Sequence, residues 1–286
     1  MTQISISLWH YGWRAFTNNR FSLMGLSFLC ILTLLALLVP LFTPYAYDET
    51  HLHLKNTSPC AQFWFGTDEL GRDLFTRIFW GARISLGIGI AASLIDLVIG
   101  VLFGSFAALV KGKTEKVLMR TADILYSIPY LLVVILLMMW IGSGFMAILI
   151  ALTFTGWIKM ARVVRGQLLQ VREMDFIKAA IALGSSKKRL LFCHLIPNCS
   201  GQILITLALT IPSAIFAEAF LSFLGLGIQA PFASWGTMAN DGLTALKIYP
   251  WRLFFPAGFI CLTLFSFSLV SEGLRDAFDP RQRASL

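Results

Sequence analysis

Charge is scarce in this chain: Asp, Glu, Lys and Arg make up 13% of its 286 residues, about half the roughly 25% usual for soluble domains. With 57% hydrophobic residues and a mean hydropathy of +0.75, that deficit excludes an ordinary water-soluble enzyme. It indicates a protein that crosses a membrane several times. The five cysteines, Cys30, Cys60, Cys193, Cys199 and Cys261, are scattered, and no disulfide framework or metal spacing emerges. Histidine is limited to four residues. His51 and His53 lie near acidic residues, but no HExxH or twelve-residue calcium loop accompanies them, so a solvated loop with internal salt bridges is the better reading. Paired acids at short spacing, a zinc motif and a nucleophile elbow are all missing, which argues against a membrane enzyme. Lys111-Gly112-Lys113-Thr114 ends like a phosphate-binding loop. Ala107 stands where its first glycine is required, and an apolar helix precedes it instead of a strand, so nucleotide binding fails here.

What the chain does have is long apolar runs separated by basic turns. Residues 1–20 mix Trp9, Tyr11, Trp13, Arg14, Phe16 and Arg20, as an interfacial segment does. The run 21–42 is too long for the core of a signal peptide and long enough to span. Residues 43–83 form an external stretch. The segment 84–272 holds five further spans, expected near 84–110, 122–141, 145–160, 200–224 and 253–270, and 273–286 is a tail. In the second span Gly100 and Gly104 permit close helix packing, and Pro129 should kink the third. The net charge is +8, and its distribution matters more than its size. With both termini inside, the outer side keeps only Lys55, Arg72, Arg77, Arg83, Lys247 and Arg252 of the 23 Lys and Arg. This is the positive-inside pattern, not a nucleic-acid footprint. The expectation is an all-α protein with six transmembrane helices and both termini cytoplasmic. Asp96 and Glu218 are ionisable residues inside spans, where they either tie helices together or face a wet pathway.

The stretch 174–198 interrupts the hydrophobic second half. Phe176, Ala179, Ala180 and Leu183 recur at i, i+3, i+4 and i+7, which places them on one face of a short helix. Gly184 stops that helix because glycine alone takes the left-handed cap without steric cost. Ser185 and Ser186 can cap a second short helix over 187–195, and Pro197 marks its end. The result is a helix–Gly–helix hairpin with a small apolar face and a basic rim, suited to a groove on another protein.

This hairpin resembles the cytoplasmic "EAA" coupling loop of ABC importer permeases, through Lys178-Ala179-Ala180, Gly184 and Ile196-Pro197. Lys178 departs from the glutamate usual there. The segment Gly66-Thr67-Asp68-Glu69-Leu70-Gly71-Arg72-Asp73, followed by Arg77, Gly81 and Arg83-Ile84-Ser85-Leu86, resembles the GTD-x-x-GRD signature of the dipeptide and oligopeptide branch. Residues 220–227 (FLSFLGLG), Ser234-Trp235-Gly236, and the closing run from Gly273 to Pro280 resemble the oligopeptide C-type permeases of that branch.

The resemblance implies an importer subunit in a bacterial cytoplasmic (inner) membrane, surrounded by lipid. Its coupling loop, 166–198, would lie between helices four and five. It implies a second permease forming a heterodimer, two ABC ATPase subunits that use ATP and Mg, and an external peptide-binding protein. No cofactor would be bound by this chain. Phe176, Lys178, Ala179, Ala180, Leu183, Gly184, Ile196 and Pro197 would then couple to the ATPases. Asp96 and Glu218 would be the two acids able to meet a peptide's amino terminus. Dipeptide or nickel import is the alternative within the branch, and a stand-alone channel or sensor is the alternative outside it. The coupling hairpin, for which a lone channel has no use, discriminates against the latter.

Overall fold

Asp73 begins a 36-residue helix that contacts most of the other long elements. In the computed structural model, which describes residues 12–110 and 112–278, the Asp73 carboxylate accepts from the N–H groups of Phe75 (3.4 Å) and Thr76 (3.0 Å). This N-cap satisfies donors a helix start otherwise leaves open. Trp9, Tyr11, Lys111 and the tail beyond Phe278 lie outside the described residues. Helix α1 spans Arg20–Phe42 and α2 spans Leu74–Leu109. Next come α3 (Lys113–Ser127), α4 (Tyr130–Ile141), α5 (Phe145–Arg172) and α6 (Asp175–Ala182). The last three are α7 (Lys187–Phe223), α8 (Trp235–Leu243) and α9 (Trp251–Phe278). Among the described residues five helices are long and apolar enough to cross a membrane, and the α3–α4 pair makes a sixth if counted as one span.

Several boundaries differ from the sequence expectation for identifiable reasons. Helix α2 starts ten residues before Ile84 because the Asp73 cap and the packed external stretch support the extra turns. At 36 residues and about 1.5 Å per residue, it exceeds a hydrocarbon core of about 30 Å. The helix expected at 122–141 is interrupted, not merely kinked. Pro129 has no N–H and forces Ile128 into extended backbone (ψ 131°), so α3 and α4 meet at 83°, as a residue before proline disfavours the helical region. The basic turn expected at 111–120 is, from Lys113 onward, the first half of α3. Helix α5 runs on to Arg172, past the expected end at Met160, and α9 continues past Val270 to Phe278.

Pro197 does not end a helix, contrary to expectation. The chain stays helical from Lys187 to Phe223, with a π-helical segment at Leu190–Leu195 just before the proline. That wider turn lets Pro197 sit as a first-turn residue, where a missing N–H costs nothing. Close by, the His194 carbonyl accepts from Asn198 Nδ2 at 2.6 Å. His194 lies in the π-helical segment near the start of this helix.

Small residues set the helix contacts. A Cβ added at Gly100 would sit 2.5 Å from Met160 Cβ, and one at Gly104 2.5 Å from the Ala161 carbonyl oxygen. The Gly-x-x-x-Gly pair thus seats α2 directly on α5. Helix α1 lies on α2 and α9 through Ser22, Gly25, Leu32 and Ala36. Pro40 removes the donor for the Ala36 carbonyl, and Arg83 Nε supplies one at 2.6 Å, so two distant signature residues complete one hydrogen bond.

The stretch 43–83 is folded, and Asp68, Arg72, Asp73 and Arg77 are buried in it. Asp68 Oδ1 accepts from the N–H groups of Leu70 (2.9 Å) and Arg72 (3.0 Å), while Oδ2 lies 2.6 Å from Arg72 Nε and 3.5 Å from Arg77 Nε. Gly71 has φ +75°, and a Cβ there would sit 1.9 Å from the His51 carbonyl oxygen; only glycine fits. Arg252, at the start of α9, joins Glu69 (3.0 Å), Asn56 (3.2 Å) and the Asp241 carbonyl (3.1 Å). The salt bridges expected from the sequence are present, and residues 43–64 are largely exposed, whereas Thr67, Asp68, Arg72 and Asp73 are buried.

Candidate functional site

Two places combine exposed or unpaired groups with a defined setting: the elbow between α5 and α7, and a cavity beside the break between α3 and α4.

At the elbow, α6 is held by a residue the periodicity argument passed over. Ile177 is fully buried among Leu168, Val171, Leu190, Leu191 and Leu195. Its opposite face is open, with Phe176 42% and Leu183 87% exposed, Ala179 exposed and Ala180 half-buried. Ile181, on the same side of the helix as Ile177, is 46% exposed and lines a small pocket with Leu190, Leu191 and Leu195. Exposed apolar side chains at a helix turn mark a surface for a partner. Gly184 has φ +82°, and the N–H of Ser185 donates to the Ala180 carbonyl at 3.1 Å, the expected left-handed stop. Ser186 Oγ then accepts from Arg189 N–H at 3.3 Å and starts α7. Lys178 is exposed, 3.7 Å from Glu173. Ile196 is half-buried and Pro197 exposed. The second arm of the elbow is thus continuous with a 37-residue helix.

The two intramembrane acids occupy different settings. Glu218 is wholly buried and accepts from Ser85 Oγ (2.8 Å) and Ser222 Oγ (2.7 Å). Ser85 Oγ in turn accepts from Trp235 N–H at 3.3 Å, and Trp235 Nε1 donates to the Ile78 carbonyl at 3.0 Å. This knot joins α2, α7 and α8. Its only sequence signal was Ser222 standing four residues after Glu218. Asp96 instead lines a cavity of about 510 Å³ with Tyr130, Thr155, Gly156, Lys159 and Ser213. It is 4% exposed, and its Oδ1 has no hydrogen-bond partner. The structure does not bring Asp96 and Glu218 together at one site.

Beside this cavity the cytoplasm-like basic residues of α5 turn out to be paired. Arg162 Nη2 lies 2.7 Å from Asp123 Oδ1, with its guanidinium 4.3 Å from the Tyr126 ring centre. Arg165 Nε donates to Glu115 at 2.9 Å. These contacts strap α3 to α5. In the external stretch His51 is engaged locally, 3.2 Å from Glu49 and edge-on to Tyr45.

Residues 100–284 match the family described as the binding-protein-dependent transport system inner membrane component. Residues 7–59 match the N-terminal TM domain of oligopeptide transport permease C. The chain belongs to the peptide branch of the ABC importer permeases. The oligopeptide transport system permease protein OppC of Bacillus subtilis is 52% identical over 279 residues, covering 98% of this chain and 92% of that protein. The dipeptide transport system permease protein DppC of the same organism is 49% identical, covering 98% and 88%. OppC of Escherichia coli K12 is 41% identical, covering 97% and 92%. Among solved structures, an inward-facing MetNI methionine ABC transporter superposes with a TM-score of 0.57 at 15% identity, covering 69% of this chain and 94% of that one. At that identity the likeness concerns the fold alone. As a member of this permease family, the chain is a multi-pass transport subunit and not an enzyme.

Proposed function

We propose that this chain is the C-type permease subunit of an ATP-driven importer that carries oligopeptides across a bacterial inner membrane. The relatives that match over nearly the full chain transport oligopeptides or dipeptides by name, and the exposed elbow supports the coupling role. In this reading both termini and the elbow are cytoplasmic. The chain pairs with a second permease; two ATPase subunits hydrolyse ATP with Mg, and an external binding protein delivers the peptide. Phe176, Ala179, Ala180 and Leu183 form the face that enters an ATPase groove, with Lys178 at its edge and Gly184 fixing the angle of the elbow.

Closure of the ATPases pushes the elbow, and Ile196 and Pro197 pass the movement into α7. Because the π-turn and the proline lie inside one continuous helix, displacement reaches the Glu218 knot without a loop to absorb it. The permease then rocks between inward- and outward-open states around a midplane pathway. We place Asp96 on that pathway. We assign Glu218 to the framework that transmits the motion, since its carboxylate is occupied by Ser85 and Ser222.

Uptake of a labelled tetrapeptide, with nickel uptake in parallel, tests the reading in cells with and without this chain. Loss of peptide uptake alone is the expected result. Loss of nickel uptake alone overturns the substrate while keeping the coupling scheme.

A further inference from the structure

The cavity at the broken span has one unpaired acid and one unpaired base. Asp96 Oδ1 is buried without a partner, as is the hydroxyl of Tyr130, and both residues line the cavity. An unpaired buried carboxylate is costly, and an arriving cation removes that cost. The cations nearby on α5 are Lys159, Arg162 and Arg165. Arg162 is held by Asp123 and Arg165 by Glu115. Lys159 lines the cavity and has no acidic partner within 4.0 Å among the described residues.

Asp96 and Lys159 thus put a negative and a positive group on the wall of one cavity. A Cβ added at Gly156 would sit 2.2 Å from Asp96 Oδ2, so this carboxylate rests against the α5 backbone at that residue. Lys159 is three residues on, about 4.5 Å along the helix axis, and its four-carbon stem carries the ammonium further. An extended tripeptide covers roughly 10 Å at about 3.3–3.6 Å per residue. The remaining wall is largely small or apolar, including Ala92, Leu152, Ala214 and Ala217, and it tolerates varied side chains. A volume of about 510 Å³ lies within the roughly 300–1,000 Å³ of ligand sites.

We propose that this cavity is a zwitterion subsite for short peptides, in which Asp96 receives the amino-terminal ammonium and Lys159 the carboxyl-terminal carboxylate. Tyr130 supplies its hydroxyl to the amino-terminal end. The permease thereby reads the two ends of its cargo while leaving the side chains unread, and selection is not left to the external binding protein alone. This rests on the peptide-transport reading above.

The test uses the assembled importer in lipid nanodiscs without its external binding protein. Labelled tri-alanine, N-acetyl-tri-alanine and tri-alanine amide are the probes, with wild-type, Asp96→Asn and Lys159→Met chains. For the wild type, acetylation is expected to weaken binding about tenfold. Asp96→Asn should weaken tri-alanine by a similar factor and make acetylation irrelevant; Lys159→Met should do the same for amidation. Such non-additivity identifies direct contact. Lys159 is exposed, so its variant reports even if the Asp96 variant does not assemble. Wild-type complexes that bind no tri-alanine, or chemical and mutational effects that simply multiply, overturn the subsite. Uptake of tri-alanine by cells carrying the whole importer separates the two readings. If uptake persists, only the subsite fails; if it is absent, peptide transport fails with it.

Discussion

The external GTDELGRD stretch and the elbow at 174–198 look alike as sequence, since both are polar, glycine-bearing interruptions between apolar runs. They fold to opposite ends. The first turns its charges inward: Asp68 is surrounded by the backbone of Leu70 and Arg72 and by two guanidinium groups, and Asp73 caps α2. The second turns apolar side chains outward, with Leu183 87% exposed and only Ile177 fully buried on α6. One region is already satisfied and works as a wall. The other leaves apolar surface to be completed by a partner. A signature motif therefore need not be a contact site, and burial of its polar atoms is what separates the two cases.

Four substitutions test that contrast. The largest effect is expected from Asp68→Ala, which leaves Arg72 and Arg77 buried without their carboxylate. Breaking a buried pair costs about 3–5 kcal/mol, so immunoblots of isolated membranes should show a severe loss of protein. A normal level would mean that the stretch is not the wall described here. Next comes Leu183→Asp. It should leave the protein inserted at wild-type level while cutting peptide uptake by about tenfold or more, with loss of co-purifying ATPase. Retained uptake would remove the elbow face from the coupling scheme. Asp73→Ala should be milder, costing about 1 kcal/mol as a lost N-cap, read as a drop of a few degrees in the melting temperature of the detergent-solubilised protein. An unchanged melting temperature would show that the rest of the external stretch holds the start of α2 unaided. Lys178→Glu should do least, because its partner Glu173 is itself exposed and such pairs contribute about 0–1 kcal/mol. Uptake should stay within about twofold of wild type, and a larger fall would give Lys178 a direct place in the ATPase contact.

The legible parts of the molecule were those fixed by local chemistry. Apolar run length announced most of the spans, and Gly184 announced the left-handed stop. Gly100 and Gly104 announced close packing against a neighbouring helix, although not that α5 was the neighbour. The illegible parts depended on distant residues. Nothing near Pro40 signals that Arg83 will supply the donor its ring removes. Nothing near Glu218 signals Ser85, 133 positions away. The positions at i, i+3, i+4 and i+7 on α6 were grouped correctly, but the grouping could not tell a buried face from an exposed one, and Ile177 proved to be the anchor.

The sequence by itself determined that this is an all-α membrane protein of the peptide-importer branch, because hydrophobic length and short motifs are read without knowing what packs on what. Tertiary structure alone decided the rest. Pro129 breaks its span while Pro197 is absorbed, since one follows an extended residue and the other a π-turn. Glu218 is tied into a knot while Asp96 is left unpaired on a cavity, since hydrogen-bond partners for a buried carboxylate come from other helices. Only the folded chain sets which helices those are.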